Sequence, residues 1–326
     1  MPRSASLIAT EVVMIAWFDE QPASSTPVAG GKGASLSRMA AAGLPVPPGF
    51  VVCAAAFGDF LERYEGADLI NRVTRDLDVS DSAALDDASE QIRRLILSSP
   101  LLPEIEQAIR NACRKLGEDR LVAVRSSAAS EDGEAASFAG QQETFLNLQG
   151  AEGVVQSVRE CWASFFAPRA MFYRAQKGTL TDTGMAVVVQ EMILAEKSGV
   201  LFTVDPVQRR RDHMMIEAVF GLGEGIVSGL ITPDHYVVDR DDGSLVREFI
   251  STQTRAVVHN SNGGGTKEIE LPEHEGGARV LREDELHGLR ELGLRLEQVF
   301  GAPQDVEWCI RGDKLLLLQS RPITTL

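Results

Sequence analysis

The 326-residue sequence predicts a mixed α+β protein built from two parts, and three observations carry that reading. Apolar residues recur at helical spacing mainly before residue 185. After it, apolar and β-branched runs at 186–192, 199–204, 214–219 and 235–238 are separated by polar or Gly-rich stretches, the pattern of strands. The two kinds of segment do not alternate regularly, which argues for α+β rather than a doubly wound sheet. The length fits two domains or large subdomains of roughly 100–200 residues each, here placed at 1–185 and 186–326.

The elements follow in order. Residues 6–18 are apolar but interrupted by Glu11, too short to span a bilayer, and read as an N-terminal extension or first strand. Residues 33–42 read as a helix stopped by Gly43 and a Pro-rich turn, with a short strand at 49–52. Helices are predicted at 89–97 and 103–116, and a strand at 121–124. A helix at 154–166 is broken or restarted at Pro168. Asp242-Gly243 signals a hairpin, and the Gly-rich run 262–265 a loop tip. A long amphipathic helix at 283–300 precedes a terminal hairpin, 305–310 and 314–319, turned at Gly312-Asp313.

Composition narrows function. Apolar residues at 44% and charged residues at 24% exclude wholesale disorder and collagen-like repeats. A formal charge of −15 repels nucleic acid and anionic membranes, so an anionic ligand must be met by a few specifically placed Lys and Arg. Cys53, Cys113, Cys161 and Cys309 form no C-x-x-C pair; they read as reduced, buried thiols of a cytoplasmic protein rather than a disulfide framework or a zinc site.

Several constellations could carry chemistry. Gly30-Gly31-Lys32-Gly33 precedes a helix, where backbone N–H groups and the Lys32 charge can meet an anion; a plain glycine turn with a solvated lysine is the alternative. Arg125-Ser126-Ser127 ends an apolar strand, so Arg125 either faces a cleft and binds phosphate or pairs with Glu131 or Asp132. The segment 137–144, with Gly140, Gln141 and Thr144, suits a loop closing over phosphates, or an ordinary turn. Gly221-Leu222-Gly223-Glu224-Gly225 is a weak dinucleotide signal, its third glycine one position early. In the terminal hairpin Asp305 and Glu307 share one strand face, as do Gln319 and Arg321 on the partner. Two carboxylates, an amide and a guanidinium there suit a hard cation with phosphate. The five histidines have no metal-ligand spacing. Arg209-Arg210-Arg211 is a solvated loop or a dock for an acidic partner domain.

Taken together, the segments 30–52 (GGKGASLSRMAAAGLPVPPGFVV), 124–132 (VRSSAASED), 137–147 (SFAGQQETFLN), 187–193, 198–206, 221–229 and 303–324 resemble the N-terminal nucleotide-binding domain shared by phosphoenolpyruvate synthase, pyruvate phosphate dikinase and rifampicin phosphotransferase. The likeness is greater to the synthase and the rifampicin enzyme than to the dikinase. It implies an ATP-grasp fold with ATP held between two α+β subdomains. By this resemblance Lys32 and Arg125 hold phosphates, and the loop with Gly140, Gln141 and Thr144 covers them. Gln190, Glu191, Met192 and Ile193 border adenine through backbone groups. Glu307 and Gln319 ligate Mg²⁺, Arg321 sits on the transferring phosphates, and Asp305 matches as well. Lys32, Arg125 and Arg321 are thus the implied catalytic residues.

The implied reaction passes the β-phosphoryl part of ATP to a histidine on a swivelling domain, releasing AMP and phosphate; the phosphohistidine then phosphorylates an acceptor. No histidine here lies in a motif like the phosphorylated segment, and the matching region runs to the last residues. The expectation is therefore an ATP- and Mg²⁺-binding part of an ATP-dependent phosphotransferase that needs a His domain and an acceptor-substrate domain to complete turnover. The alternatives are a non-catalytic nucleotide-binding regulatory module, or the ATP subunit of a split enzyme like phenylphosphate synthase. A self-sufficient ATP-grasp ligase would need its own acceptor pocket. The acceptor, whether pyruvate, a rifamycin or a phenol, is not encoded in these residues.

Overall fold

In a computed structural model of the protein, residues 13–128, 144–261 and 265–324 are described. The first part opens with strand β1 (Ile15–Trp17), helix α1 (Thr26–Ala41) and strand β2 (Gly49–Val52). Helices α2 (Ala54–Arg63), α3 (Gly66–Thr74), α4 (Ser82–Ser98) and α5 (Pro103–Leu116) follow. Then come β3 (Leu121–Ala128), β4 (Thr144–Gln149), α6 (Gly150–Ser164), α7 (Pro168–Gln176) and β5 (Met185–Glu191). The second part holds β6 (Lys197–Phe202), β7 (His213–Phe220), α8 (Glu224–Val227), β8 (Asp234–Asp239) and β9 (Leu245–Phe249). It closes with β10 (Arg255–His259), β11 (Thr266–Glu270), α9 (Glu273–Gly276), α10 (Glu283–Phe300), β12 (Gln304–Arg311) and β13 (Lys314–Pro322).

The strands form a five-stranded sheet β1-β2-β5-β3-β4, a six-stranded sheet β13-β12-β6-β7-β8-β9 and the separate hairpin β10-β11. The α+β class is as the sequence predicts, and two sheets flanking a cleft correspond to the expected ATP-grasp arrangement. The expected division at 185/186 does not follow the sheets. Strand β5 lies in the centre of the first sheet, between β2 and β3, so sheet membership changes only after Glu191. Its run Ala186–Val189 is apolar on both faces because both are covered. Val187 and Val189 face a core formed with α2 and α4–α7, while Ala186 and Val188 face a second core containing Leu36 and Met39 of α1.

That second core joins the two parts. It also contains Leu201 and Met214 of the larger sheet and Leu286, Leu289 and Leu296 of α10. Helix α1 is therefore sandwiched: Ser35 donates to the Ser320 carbonyl of β13 at 2.7 Å, and the Leu317 N–H donates to Pro45 at 2.8 Å.

Helix boundaries differ from expectation where caps decide. Asp81 accepts from the N–H groups of Ala83 and Ala84, which starts α4 seven residues before the predicted 89. Helix α1 is kinked at Gly30, so a short turn carrying Pro27 precedes the main helical run, which starts close to the predicted residue 33. Strand β3 does not end at Val124 but continues to Ala128.

Candidate functional site

The site grows from strand alternation. On β3, Val122, Val124 and Ala128 enter the helix-covered core, which turns Ala123, Arg125 and Ser127 to the opposite face. Helix α1 covers the Ser127 end of that face, leaving Ala123 and Arg125 as a cleft wall. Ser127 pins α1 in place: its hydroxyl accepts from the Gly33 N–H at 3.1 Å and donates to the Ala29 carbonyl at 2.8 Å. The chain bends there at Gly30, with φ +68°, and a Cβ on Gly30 would lie 2.0 Å from the Ser127 carbonyl oxygen. Only glycine fits this close approach. Lys32 follows in the first turn, its ammonium donating to the Ser126 carbonyl at 3.1 Å.

The facing wall is the terminal hairpin. Its register sets Glu307 opposite Gln319 and Asp305 opposite Arg321, so the four predicted polar residues do share one region. Asp305 accepts from Arg321 Nε at 2.9 Å and from its Nη2 at 2.8 Å. Burial raises the Asp305 carboxyl above its ordinary value, with Arg321 opposing. Glu307 continues a row across the sheet through Val200 to Glu217 and His235. His235 Nδ1 lies 3.3 Å from Glu217, whose carboxyl is raised by burial despite the imidazole.

The walls meet where Arg125 Nη1 approaches Glu307 at 3.9 Å. Arg125 is largely buried and its Nε has no hydrogen-bond partner among the described residues. Beside this pair lies a small cavity of about 70 Å³, open to solvent on one side. Arg125, Gln190, Glu191, Met192 and Ile193 line one side; Cys309 and Leu318 line the other. Gln190 is 1% exposed, and its Nε2 also lacks a partner among the described residues. The Glu191 N–H donates to Pro48 at 2.9 Å, but Pro48 has no N–H to return the bond. The Met192 N–H is taken by Leu121 at 2.8 Å. The Glu191 carbonyl beside Pro48 thus lacks the return bond of an antiparallel pair. The Glu191 side chain pairs with Arg120 at the rim.

Of the predicted residues, Arg125, Gln190–Ile193, Glu307 and Gln319 converge on the cavity or its edge, with Arg321 one register step away. Lys32 sits at the far end of β3, beyond the cavity lining. Thr144 is exposed at the start of β4, its Cα paired with Arg125. Gly140 and Gln141, like Glu131 and Asp132, lie outside the described residues. Among the described residues, the carboxylate that Arg125 approaches is Glu307.

Residues that sequence reading did not bring to the site include Leu146, Cys309 and Leu318, all on the cavity wall. Gly221–Gly225, a weak signal when read as a dinucleotide fingerprint, comes to the cavity as a glycine-rich bend leading into α8. All four cysteines are buried and unpaired, as expected, and burial lifts the Cys309 thiol to about 12. No three His, Cys, Asp or Glu converge as a metal site among the described residues, and no helix among them is long and apolar enough to cross a membrane.

The cavity has mixed polarity, with the Arg125 cation and the Glu307 carboxylate near one end, an arrangement that can hold an anionic group beside an apolar one. The chain belongs to the pyruvate phosphate dikinase, AMP/ATP-binding domain family, whose model matches residues 26–326. It is 46% identical over 318 residues to a probable phosphoenolpyruvate synthase of Methanocaldococcus jannaschii, covering 96% of this chain and 27% of that protein. It is 42% identical over 300 residues to a rifampicin phosphotransferase of a Streptomyces species, covering 91% of this chain and 34% of that protein. The chain thus spans about a third or less of these relatives' length. D-alanyl-alanine synthetase A of Vibrio cholerae O1 biovar eltor matches with a TM-score of 0.29 and 9% identity, over 74% of this chain and 56% of that one, a likeness too distant to carry an argument.

Proposed function

We propose that this chain is the ATP-binding part of a dikinase-type phosphotransferase resembling phosphoenolpyruvate synthase or rifampicin phosphotransferase. The observation that carries the reading is the cavity beside the Arg125–Glu307 approach, in a chain of the AMP/ATP-binding family. Adenine would occupy the apolar end, bordered by backbone groups of Gln190, Glu191, Met192 and Ile193. The unpartnered Gln190 amide offers a further donor. The triphosphate would run toward Arg125, Lys32 and Arg321, under the loop that carries Gly140, Gln141 and Thr144.

The donor set fits Mg²⁺. Glu307 is a partly exposed carboxylate, Gln319 adds an amide oxygen from the neighbouring strand, and the side open to solvent leaves room for waters. Bound Mg²⁺ would neutralise phosphate charge. The chain's own contribution is positioning: Arg125 and Lys32 hold phosphate oxygens, and the apolar end excludes water from the base. The β-phosphoryl part then passes to a histidine on a separate domain, displacing AMP, while a water molecule takes the γ-phosphoryl as phosphate; the phosphohistidine then passes its phosphoryl group to an acceptor held by another domain.

Calorimetric titration of ATP with and without Mg²⁺ tests the site. Arg125→Ala and Lys32→Ala should each weaken binding by about 1.5–3 kcal/mol, the cost of a lost charge-assisted hydrogen bond. Glu307→Ala should abolish most of the Mg²⁺ enhancement while ATP alone still binds. Unchanged affinity in both cation variants would overturn the phosphate assignment.

A further inference from the structure

The β10-β11 hairpin belongs to neither large sheet, and both its ends touch walls of the cavity. At its base the Leu222 N–H donates to the Val257 carbonyl at 2.8 Å. Gly221 lies so close beneath that a Cβ there would come within 2.3 Å of the same oxygen. Leu222 and Gly223 line the cavity on this side. At its other end the hairpin reaches the first sheet. Asn147 of β4 donates through Nδ2 to the Gly265 carbonyl at 2.9 Å, and its Oδ1 lies 2.9 Å from His259 Nδ1. Since the Asn147 amide nitrogen is spent on Gly265, its oxygen is the acceptor and His259 Nδ1 the donor. Asn147 is 6% exposed and holds φ at +59°, an unusual conformation for a residue with a side chain. Leu146, its neighbour, lines the opposite side of the cavity.

We propose that Asn147, His259 and Gly265 form a clasp that holds the cavity closed across the two parts of the chain, and that they are positioning residues setting how fast a bound nucleotide leaves. The proposal rests on the nucleotide reading given above. The hairpin spans from the Gly221–Leu222 bend to β4, so opening the cavity between those walls requires the Asn147 bonds to break. Among the described residues, β4 meets the hairpin through these side-chain bonds rather than a ladder.

The test uses the full chain and the fluorescent nucleotide mant-ATP with Mg²⁺ in stopped flow. Asn147→Gly removes both bonds while keeping the left-handed backbone accessible. It should raise the dissociation rate about tenfold, the worth of two ordinary hydrogen bonds, with little change in the association rate. His259→Ala should give a smaller rise, and His259→Gln, which keeps an amide donor, should restore most of the slow release. An unchanged dissociation rate in Asn147→Gly and His259→Ala would overturn the clasp. Hydrogen exchange of unliganded protein separates the two readings. Faster exchange of the β10 and β11 amides in both variants is expected, and unchanged exchange would sink the clasp whether or not mant-ATP binds. Failure of the wild-type chain to bind mant-ATP would instead count against the nucleotide site.

Discussion

Glu217 stands on the open face of the larger sheet, two strands from Glu307, with a carboxyl raised above its ordinary value chiefly by burial. A raised carboxyl binds its proton more tightly folded than unfolded, so its burial costs stability at neutral pH, and the cost fades as pH falls through its titration. Glu217→Gln should therefore raise the melting temperature at pH 7, and the gain should shrink as pH falls through the titration of the wild-type carboxyl. Thermal melts at several pH values check this; a gain that persists or grows at low pH would show that the charge is not the cause. At this scale the sequence disclosed the charged site residues, because alternation and charge are local. It did not disclose Cys309 or Leu318, since nothing local separates a residue that lines a cavity from one that fills a core.

At the scale of elements, the terminal hairpin was legible down to its pairing: the period-2 alternation of Asp305 and Glu307 against Gln319 and Arg321 matches the observed register. A bulge beyond Glu307 shifts the ladder so that Trp308 meets Leu317, which no local pattern announced. Helices α2 and α3 and the β10-β11 hairpin escaped sequence reading, the hairpin because β11 is largely exposed and polar and β10 offers only a three-residue apolar run. The junction of β3 with α1 carries a prediction. Ser127 supplies two hydrogen bonds from one buried hydroxyl to the start of the helix, so Ser127→Ala should cost about 1–3 kcal/mol by leaving the Gly33 N–H unmet. Urea unfolding measures it. A change within 0.5 kcal/mol, roughly that of a surface substitution, would mean that packing of α1 alone fixes the bend.

For the whole molecule, α1 is the shared element. Leu36 is 1% exposed in the core that contains residues of both sheets and α10. Leu36→Ala should destabilise by about 2–5 kcal/mol. Because the core is common, calorimetry should record one transition moved to lower temperature; two separate peaks would show that the parts unfold independently. The two-part division was visible in the sequence as a change from helical to strand pattern, but its position was not. An all-apolar strand such as Ala186–Val189 reads the same whichever sheet it joins, and only long-range pairing assigns it.

The place of β5 bears on how the chain is made. The first sheet is assembled from strands that leave the ribosome in the order β1, β2, β3, β4, β5, yet the last of these fills the middle. Until it emerges, β2 and β3 each present an unpaired, apolar edge to solvent or to a chaperone. The N-terminal half is thus exposed to misassembly throughout the synthesis of α4 to α7, and its safe folding is deferred to the moment when a single valine-rich strand slots between two waiting neighbours.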